Sequence, residues 1–278
     1  MNTIISYKKQ WEFIFSNAKD IQYKKVIQFL KNSFHGSSLY ENIETIVKDL
    51  VTKYKNDETI YIKLRDLYIK EVNTNIKPRE NRLVDLLFKL DHSNKCFKTE
   101  YFILDYGCGP GSLTIELSKR LESKRIYACD VIKPKIADDI NFELIYDGQI
   151  LPYKNHTFDT IICMMVLHHV KDIKNALKEL YRILKPGGYI IIREHDFLDN
   201  MQVYLDIVHG MYNFVLNDVI EDEKFCSNYY AKYRSDKEWR KLLDEYKFKH
   251  LLKTQSDDPI KGNYINNPQR QYFMILTK

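Results

Sequence analysis

A glycine-rich turn with an acid in front of it is the part of the sequence best suited to hold a charged ligand. It reads Ile103-Leu-Asp-Tyr-Gly-Cys-Gly-Pro-Gly111, an apolar run that leads into three glycines at alternate positions. Glycine lets the backbone approach a ligand closely, and the N-terminus of a helix that begins there favours a carboxylate or phosphate. Asp105, before the first glycine, would repel a pyrophosphate and attract an ammonium group. The turn alone is a weak signal, because many α/β proteins contain one.

A second acid, Asp130, comes nineteen residues after Gly111, at the end of the apolar run 125–129. An acid at the end of the second strand of such a unit can accept hydrogen bonds from both hydroxyls of a ribose. A surface aspartate at a strand end is the simpler interpretation of Asp130 taken by itself. Its place after the glycine turn favours a nucleoside site.

Side chains that could move a proton follow two further apolar runs. His168 and His169 come after the run 158–165, and Glu194 and His195 come after the run 189–192. Ligands of open α/β sheets bind at the carboxyl ends of the strands, which favours these residues as candidate general bases. Each of the histidines could equally hold a loop in place through a hydrogen bond.

Strands and helices alternate along residues 100–196. Helical spacing occurs at 112–121 and 172–184, and the strands are predicted from the apolar runs at 101–104, 125–128, 142–146, 158–165 and 189–192. A pair of strands is predicted at 248–252 and 272–276. This order predicts an α/β protein with a doubly wound, mostly parallel sheet that helices cover on both faces.

Helices are predicted on the N-terminal side of this region. Apolar residues between Ile43 and Tyr54 recur with the spacing of one helix face, and a second helix is predicted after Pro78. We therefore expect a helical extension over residues 1–97 and a sheet domain over residues 98–278. Within the sheet domain, residues 100–196 would form the ligand-binding core, and 197–278 would form lid helices and the last strand pair.

Together these motifs resemble the class I S-adenosylmethionine-dependent methyltransferases, in particular the methyltransferase type 11 group. Tyr146-Asp-Gly148, Thr157-Phe-Asp-Thr-Ile-Ile162 and the turn Lys185-Pro-Gly-Gly188 match segments of that family at its third, fourth and fifth strands. The resemblance covers about residues 100–196. It implies a Rossmann-like sheet of seven strands with an antiparallel last strand, methyltransferase activity, and S-adenosylmethionine as the cofactor.

The resemblance also implies roles for individual residues. Asp105 would meet the amino group of the cofactor, Asp130 its ribose and Asp147 its adenine, while Met164 would line the methyl-transfer channel or simply fill the core. The cofactor-binding residues that we expect are Asp105, Gly107, Cys108, Gly109, Gly111, Asp130, Asp147, Gly148 and Met164.

The sequence leaves the methyl acceptor unassigned. It lacks the Pro-Pro-aromatic motif of DNA amino-methyltransferases and the Pro-Cys pair of pyrimidine C5 enzymes. A small molecule is favoured over RNA, but an RNA cap methyltransferase and a catalytically inactive partner subunit both stay open. A nicotinamide dehydrogenase is disfavoured, because Ser112 replaces the third glycine of that fingerprint and no second mononucleotide-binding half follows.

Composition limits the class of protein further. The 278 residues carry 43 Lys and Arg against 38 Asp and Glu, and 44% are hydrophobic, which is typical of a soluble globular protein. No stretch approaches the roughly 20 apolar residues of a membrane-spanning helix, and the N-terminus lacks a signal-peptide pattern. The 5 cysteines form no C-x-x-C pair, which indicates buried thiols rather than disulfides or a zinc site. We expect a cytoplasmic protein without a bound metal or a membrane partner.

Overall fold

The computed structural model describes residues 15–17, 19–34, 38–54, 57–71, 79–91, 93–134, 137–198, 201–211, 230–254 and 269–278. Helices α1 (Ile21–Ser33), α2 (Ile43–Tyr54), α3 (Asp57–Glu71) and α4 (Arg79–Leu90) come first. They are followed by β1 (Ile103–Tyr106), α5 (Ser112–Leu121), β2 (Ile126–Asp130), β3 (Asn141–Leu144), β4 (Phe158–Met164), α6 (Ile173–Ile183) and β5 (Leu184–His195). The last elements are α7 (Gln202–Met211), α8 (Asp236–Glu245), β6 (Lys249–Lys253) and β7 (Gln271–Thr277). Single 3₁₀ turns span Ala137–Asp139 and Leu167–His169.

Contacts divide the chain into two compact units, Met1–Ile76 with Leu198–Tyr229 and Lys77–Phe197 with Tyr230–Lys278. In the first unit α1 contacts α2 and α7, and α2 contacts α3. The apolar faces of these helices are buried, as the spacing from Ile43 to Tyr54 predicts for α2, whose Ile43 and Val47 are fully buried. The predicted N-terminal helices are therefore present.

The second unit is built on a seven-stranded sheet in the order β3-β2-β1-β4-β5-β7-β6. The first five of these strands are parallel neighbours, whereas β7 is antiparallel to both β5 and β6. The predicted doubly wound sheet with an antiparallel last strand is confirmed. After β1 the chain first builds β2 and β3 on one side, and it then crosses to add β4 on the other. In sheets of this type, the crevice above such a reversal is where ligands bind.

Both faces of the sheet are covered, which explains why its central strands are apolar throughout rather than alternating. On one face α4 and α5 bury Leu83, Val84, Leu87, Leu113 and Leu117 against Ile103, Ile126, Ile162 and Ile191. On the other face α6 and α8 bury Leu177, Leu180, Ile183, Trp239 and Leu243 against Leu104, Ile161, Ile190, Ile192 and Met274. Side chains on adjacent positions of a strand thus enter opposite layers.

Two features differ from the sequence-based expectation. Helix α4 packs on the sheet and shares its core, so contacts place residues 77–97 with the second unit and α7 with the first. The strand predicted at 189–192 is the twelve-residue β5, which continues to His195 because β7 pairs with it as far as Gln271. The expectation that Glu194 and His195 follow the strand is therefore wrong, since both lie within it.

Four of the cysteines, Cys96, Cys108, Cys129 and Cys163, are buried free thiols, as expected. In the described part of the chain no helix is both long and apolar enough to cross a bilayer. Pro78, Cys226 and most of the predicted lid after α7 lie outside the described residues.

Candidate functional site

The glycine turn connects β1 to α5 at the reversal point of the sheet. Gly107, Gly109 and Gly111 all have left-handed backbone conformations, with φ of 74°, 54° and 78°. The amide of Gly107 donates to the carbonyl oxygen of Cys129 at 2.8 Å, which fixes the turn to the end of β2. A Cβ on Gly107 would lie 2.0 Å from a methyl carbon of Val166, whereas none of the described atoms comes within 4 Å of a Cβ on Gly109. The turn is therefore closed on the side of Val166 and open at Gly109.

Asp130 is the last residue of β2 and reaches the same turn. One carboxylate oxygen accepts from the amide of Gly109 at 2.8 Å, and the other accepts from the amide of Ile132 at 3.1 Å. Burial raises the pKa of Asp130, and these amides partly oppose that shift. Among the described residues, only backbone amides donate hydrogen bonds to the Asp130 carboxylate, and they hold it at the open side of the turn.

Asp105 lies in β1, one residue before its end, and is 1% exposed. Its carboxyl accepts a hydrogen bond from the hydroxyl of Thr114 at 2.7 Å. Burial raises the pKa of Asp105 to about 7, because an ionised carboxylate is poorly solvated there. Among the described residues no basic side chain pairs with it. The site therefore contains a buried carboxyl group whose negative charge, when it is ionised, could be balanced by one positive charge on a ligand.

The segment after β3 carries Asp147 and Gly148. Asp147 accepts from the amides of Lys171 and Asp172 at 2.8 and 3.2 Å, so its carboxylate is oriented by the start of the chain that leads into α6. Large apolar side chains that are exposed follow the adjacent strands β2 and β3. They are Val131, Ile132, Tyr146 and Ile150, of which the last two are 65% and 75% exposed. This apolar surface beside acidic groups suits a flat heterocycle.

The structure brings most of the predicted cofactor residues together. Asp105, Gly107, Cys108, Gly109, Gly111 and Asp130 lie on the turn or on the strand ends beside it, at β1 and β2. Asp147 and Gly148 follow the neighbouring β3, and Met164 ends β4, half-buried against the core. The thiol of Cys108 is buried, and this burial raises its pKa.

The second predicted group meets in a buried network at the carboxyl ends of β4 and β5. His168 Nδ1 lies 2.6 Å from Glu194 Oε2, and the backbone amide of His168 donates to the other carboxyl oxygen at 3.2 Å. His168 Nε2 lies 3.0 Å from His169 Nε2. His169 Nδ1 lies 2.9 Å from the carbonyl oxygen of Tyr230.

These contacts determine where the protons of the network lie. His169 Nδ1 faces a carbonyl oxygen, so it carries a hydrogen, and the Nε2 of neutral His169 accepts. The hydrogen between the two imidazoles then belongs to His168, whose Nδ1 is left to face Glu194. That contact needs one more proton, which lies on the carboxyl because burial raises the pKa of Glu194 to about 7 and lowers the pKa of both histidines. Below about pH 7 the network therefore holds one proton beyond two neutral imidazoles and a carboxylate, and its net charge is zero.

His195 lies beside this network, with its ring 5.6 Å from that of His168 and from that of Tyr233. Its Nδ1 is 2.6 Å from the carbonyl oxygen of Gln269, and burial lowers its pKa to about 4. Of the candidate general bases, His168, Glu194 and His195 are at most 1% exposed, and His169 is partly exposed. The structure therefore places them together in one cluster, in which His169 is partly exposed and the other three are buried, rather than on an open loop.

Sequence reasoning missed the side chain of Thr114 and the backbone conformation of Met165, both of which shape the site. Thr114, in the first turn of α5, faces back onto β1, which a helical wheel beginning at Ser112 could have shown. Met165 has a left-handed backbone with φ of 61°, and its amide donates to the carbonyl of Arg193 at 2.9 Å. A conformation of this kind costs about 1–3 kcal/mol in a non-glycine residue and is concentrated at functional sites. No sequence pattern marks it.

Comparison with known proteins places this arrangement among methyltransferases. The profile of the methyltransferase-domain family matches residues 104–192. An uncharacterized methyltransferase of Schizosaccharomyces pombe is 32% identical over 115 residues, which are 34% of this chain and 40% of that protein. The chain thus spans about two-fifths of that relative's length. A demethylmenaquinone methyltransferase of Lactobacillus johnsonii is 30% identical over 172 residues, which are 55% of this chain and 70% of that protein.

Among solved structures, a proposed sarcosine dimethylglycine methyltransferase of Galdieria sulphuraria is similar in fold. It aligns with a TM-score of 0.50 at 16% identity and covers 71% of this chain and 85% of that one.

Replacing Gly107 by alanine should cost more stability than replacing Gly109. Both positions require a left-handed backbone, but only at Gly107 does the new methyl group collide with Val166. Overpacking of this kind costs about 1–3 kcal/mol beyond the backbone cost that the variants share. Urea denaturation of Gly107→Ala and Gly109→Ala measures the difference, and equal losses in the free energy of unfolding would show that Val166 does not close the turn.

Replacing Glu194 by glutamine should change how stability depends on pH. Glu194 releases its proton above about pH 4.5 in the unfolded chain, but only above about pH 7 in the folded protein. The free energy of unfolding therefore contains the full contribution of this group below pH 4.5, and it loses that contribution as the pH rises through about 7. Glutamine stays neutral, so Glu194→Gln should gain stability relative to the wild type between about pH 5 and about pH 8.

Urea denaturation at the two pH values tests this, with Glu143→Gln on the exposed edge strand β3 as the matched control. A stability difference between Glu194→Gln and the wild type that does not vary with pH would contradict the proton count.

Proposed function

The chain belongs to the class I S-adenosylmethionine-dependent methyltransferases, and we propose that it transfers the methyl group of S-adenosylmethionine to a small-molecule acceptor. The observation that carries this proposal is the open glycine turn between a buried acid, Asp105, and a partly exposed acid, Asp130. S-adenosylmethionine is the cofactor that membership of the family assigns to the chain.

The residues present fit that cofactor. A buried carboxyl without a cationic partner among the described residues, Asp105, suits the ammonium group of the methionine moiety. Asp130 keeps acceptor capacity beyond its two backbone hydrogen bonds and suits the ribose hydroxyls. The exposed apolar side chains after β2 and β3 suit the adenine ring, with Asp147 and Gly148 beside them. Gly107, Cys108, Gly109 and Gly111 would hold the ligand through backbone groups, and Met164 would line the path of the methyl group.

Bound S-adenosylmethionine supplies a methyl group on a sulfonium, which leaves as a neutral thioether. The chain therefore has to align the acceptor and to exclude water, and it needs a base only where the acceptor loses a proton. Both ring nitrogens of His169 are already in hydrogen bonds, with His168 and with the carbonyl oxygen of Tyr230, so we propose that His169, the partly exposed member of the histidine network, positions the acceptor rather than receiving its proton. His168, Glu194 and His195 would hold the imidazole and its neighbours in place from their buried positions.

A small molecule is the acceptor class that we favour. The name of the L. johnsonii relative states a small acceptor, demethylmenaquinone. This chain covers 70% of that protein. The two alternatives are an RNA acceptor and a partner subunit that binds the cofactor without catalysis. We place the reaction in the cytoplasm, as the sequence suggests.

The direct test is to incubate the protein with S-adenosylmethionine labelled in the methyl group and with fractionated metabolites, RNA and protein. Label in a metabolite fraction is the expected result, and label in RNA would overturn the choice of acceptor. Binding of S-adenosylhomocysteine without a labelled product in any fraction would favour the inactive partner subunit.

Replacing Asp130 by alanine should weaken the binding of S-adenosylhomocysteine by about 1–3 kcal/mol, because hydroxyl groups and the amide of Gly109 lose their acceptor. Titration calorimetry measures the affinity. Asp139→Ala, which removes an exposed acid from the 3₁₀ turn that precedes β3, is the matched control and should bind as the wild type does. Equal affinity of Asp130→Ala and the control would remove the ribose assignment.

A further inference from the structure

The loop between β3 and β4 has no regular secondary structure from Ile145 to Thr157, and yet it carries Asp147 and Gly148. A loop that contributes to a ligand site has to be held by something outside itself. Here the polar face of α6 does so, although α6 contributes no residue to the site. We propose that Asn175, Glu179 and Arg182 position this loop and thereby set the selectivity of the site for adenine. This inference rests on the proposed function and names residues that act through the loop.

Asn175 holds the first half of the loop. Its side-chain amide donates to the carbonyl oxygens of Gly148 and Gln149, both at 3.2 Å. One turn earlier in the chain, the amides of Lys171 and Asp172 orient the Asp147 carboxylate. Three consecutive loop residues are therefore held by Asn175 and by the two residues that precede α6.

Glu179 and Arg182 hold the second half. Glu179, which is 4% exposed, accepts from the amide of Leu151 at 2.9 Å. Arg182 donates to the carbonyl oxygens of Leu151 and Tyr153 at 3.0 and 2.7 Å, and it also pairs with Glu179 at 2.7 Å. Both polar groups of the Leu151 backbone are thus bound by an ion pair on one helix.

The spacing of these residues makes the support rigid. Positions 175, 179 and 182 recur at intervals of four and three, so they share one face of the helix. The opposite face buries Leu177, Leu180 and Ile183 in the core of the sheet. The loop is consequently attached to a helix whose apolar side chains lie in the core, and a change on α6 would shift the loop without touching a ligand.

The test compares two ligands that differ only at the base, S-adenosylhomocysteine and S-inosylhomocysteine, in which a carbonyl replaces the exocyclic amino group. The wild type should prefer the adenine compound about tenfold, the contribution of one hydrogen bond to a charged acceptor. Asn175→Asp places a carboxylate against two carbonyl oxygens. It should therefore lower the affinity for the adenine compound alone and remove most of the preference. Lys174→Gln, exposed on the same helix, makes the same change in net charge and should behave as the wild type.

A loss of affinity by the same factor for both ligands, or no loss, would overturn the positioning role. Hydrogen exchange in the ligand-free protein gives a separate readout, in which Asn175→Asp should speed exchange at the amides of residues 148–151 and Lys174→Gln should not. Unchanged exchange would also overturn the inference. Failure of the wild type to bind either ligand would instead overturn the proposed function, whatever the exchange shows.

Discussion

The burial of one carboxyl group, that of Asp105, is the constraint on which the site depends. A carboxylate in the middle of a sheet is costly unless a charge or several donors compensate it, and here the described residues supply only the hydroxyl of Thr114. The same strand end leads into a turn whose glycines allow the approach of a ligand. A cation bound beside the turn, as we propose for the ammonium group of the cofactor, would recover that cost.

Val166 connects the two halves of the site. Val166 follows β4 and packs against the glycine turn at Gly107, and the next residues form the 3₁₀ turn that carries His168 and His169. The uncharged network of His168 with Glu194 fixes that turn, so it also fixes Val166.

Short-range parts of this account could be predicted from the sequence. Strand, glycine turn and helix are adjacent in the chain, so Asp105 and the three glycines could be placed without knowledge of the sheet, and Asp130 needs only one parallel neighbour. The long-range parts could not. Glu194 and His168 are 26 residues apart, and their contact depends on the register of β4 against β5. Polar residues after an apolar run are typical of a loop, and only pairing with β7 shows that β5 continues through them. The support of the 145–157 loop by α6 likewise depends on side chains that no motif connects.

The most direct test of the central claim is the number of protons released when S-adenosylhomocysteine binds. Titration calorimetry in two buffers of different ionisation enthalpy measures that number. Because burial raises the pKa of Asp105 to about 7, the group is mostly protonated in the free protein at about pH 6, and an ammonium group beside it favours the ionised form. The account predicts release of a large fraction of one proton by the wild type and none by Asp105→Asn. Binding without proton release in the wild type would contradict it.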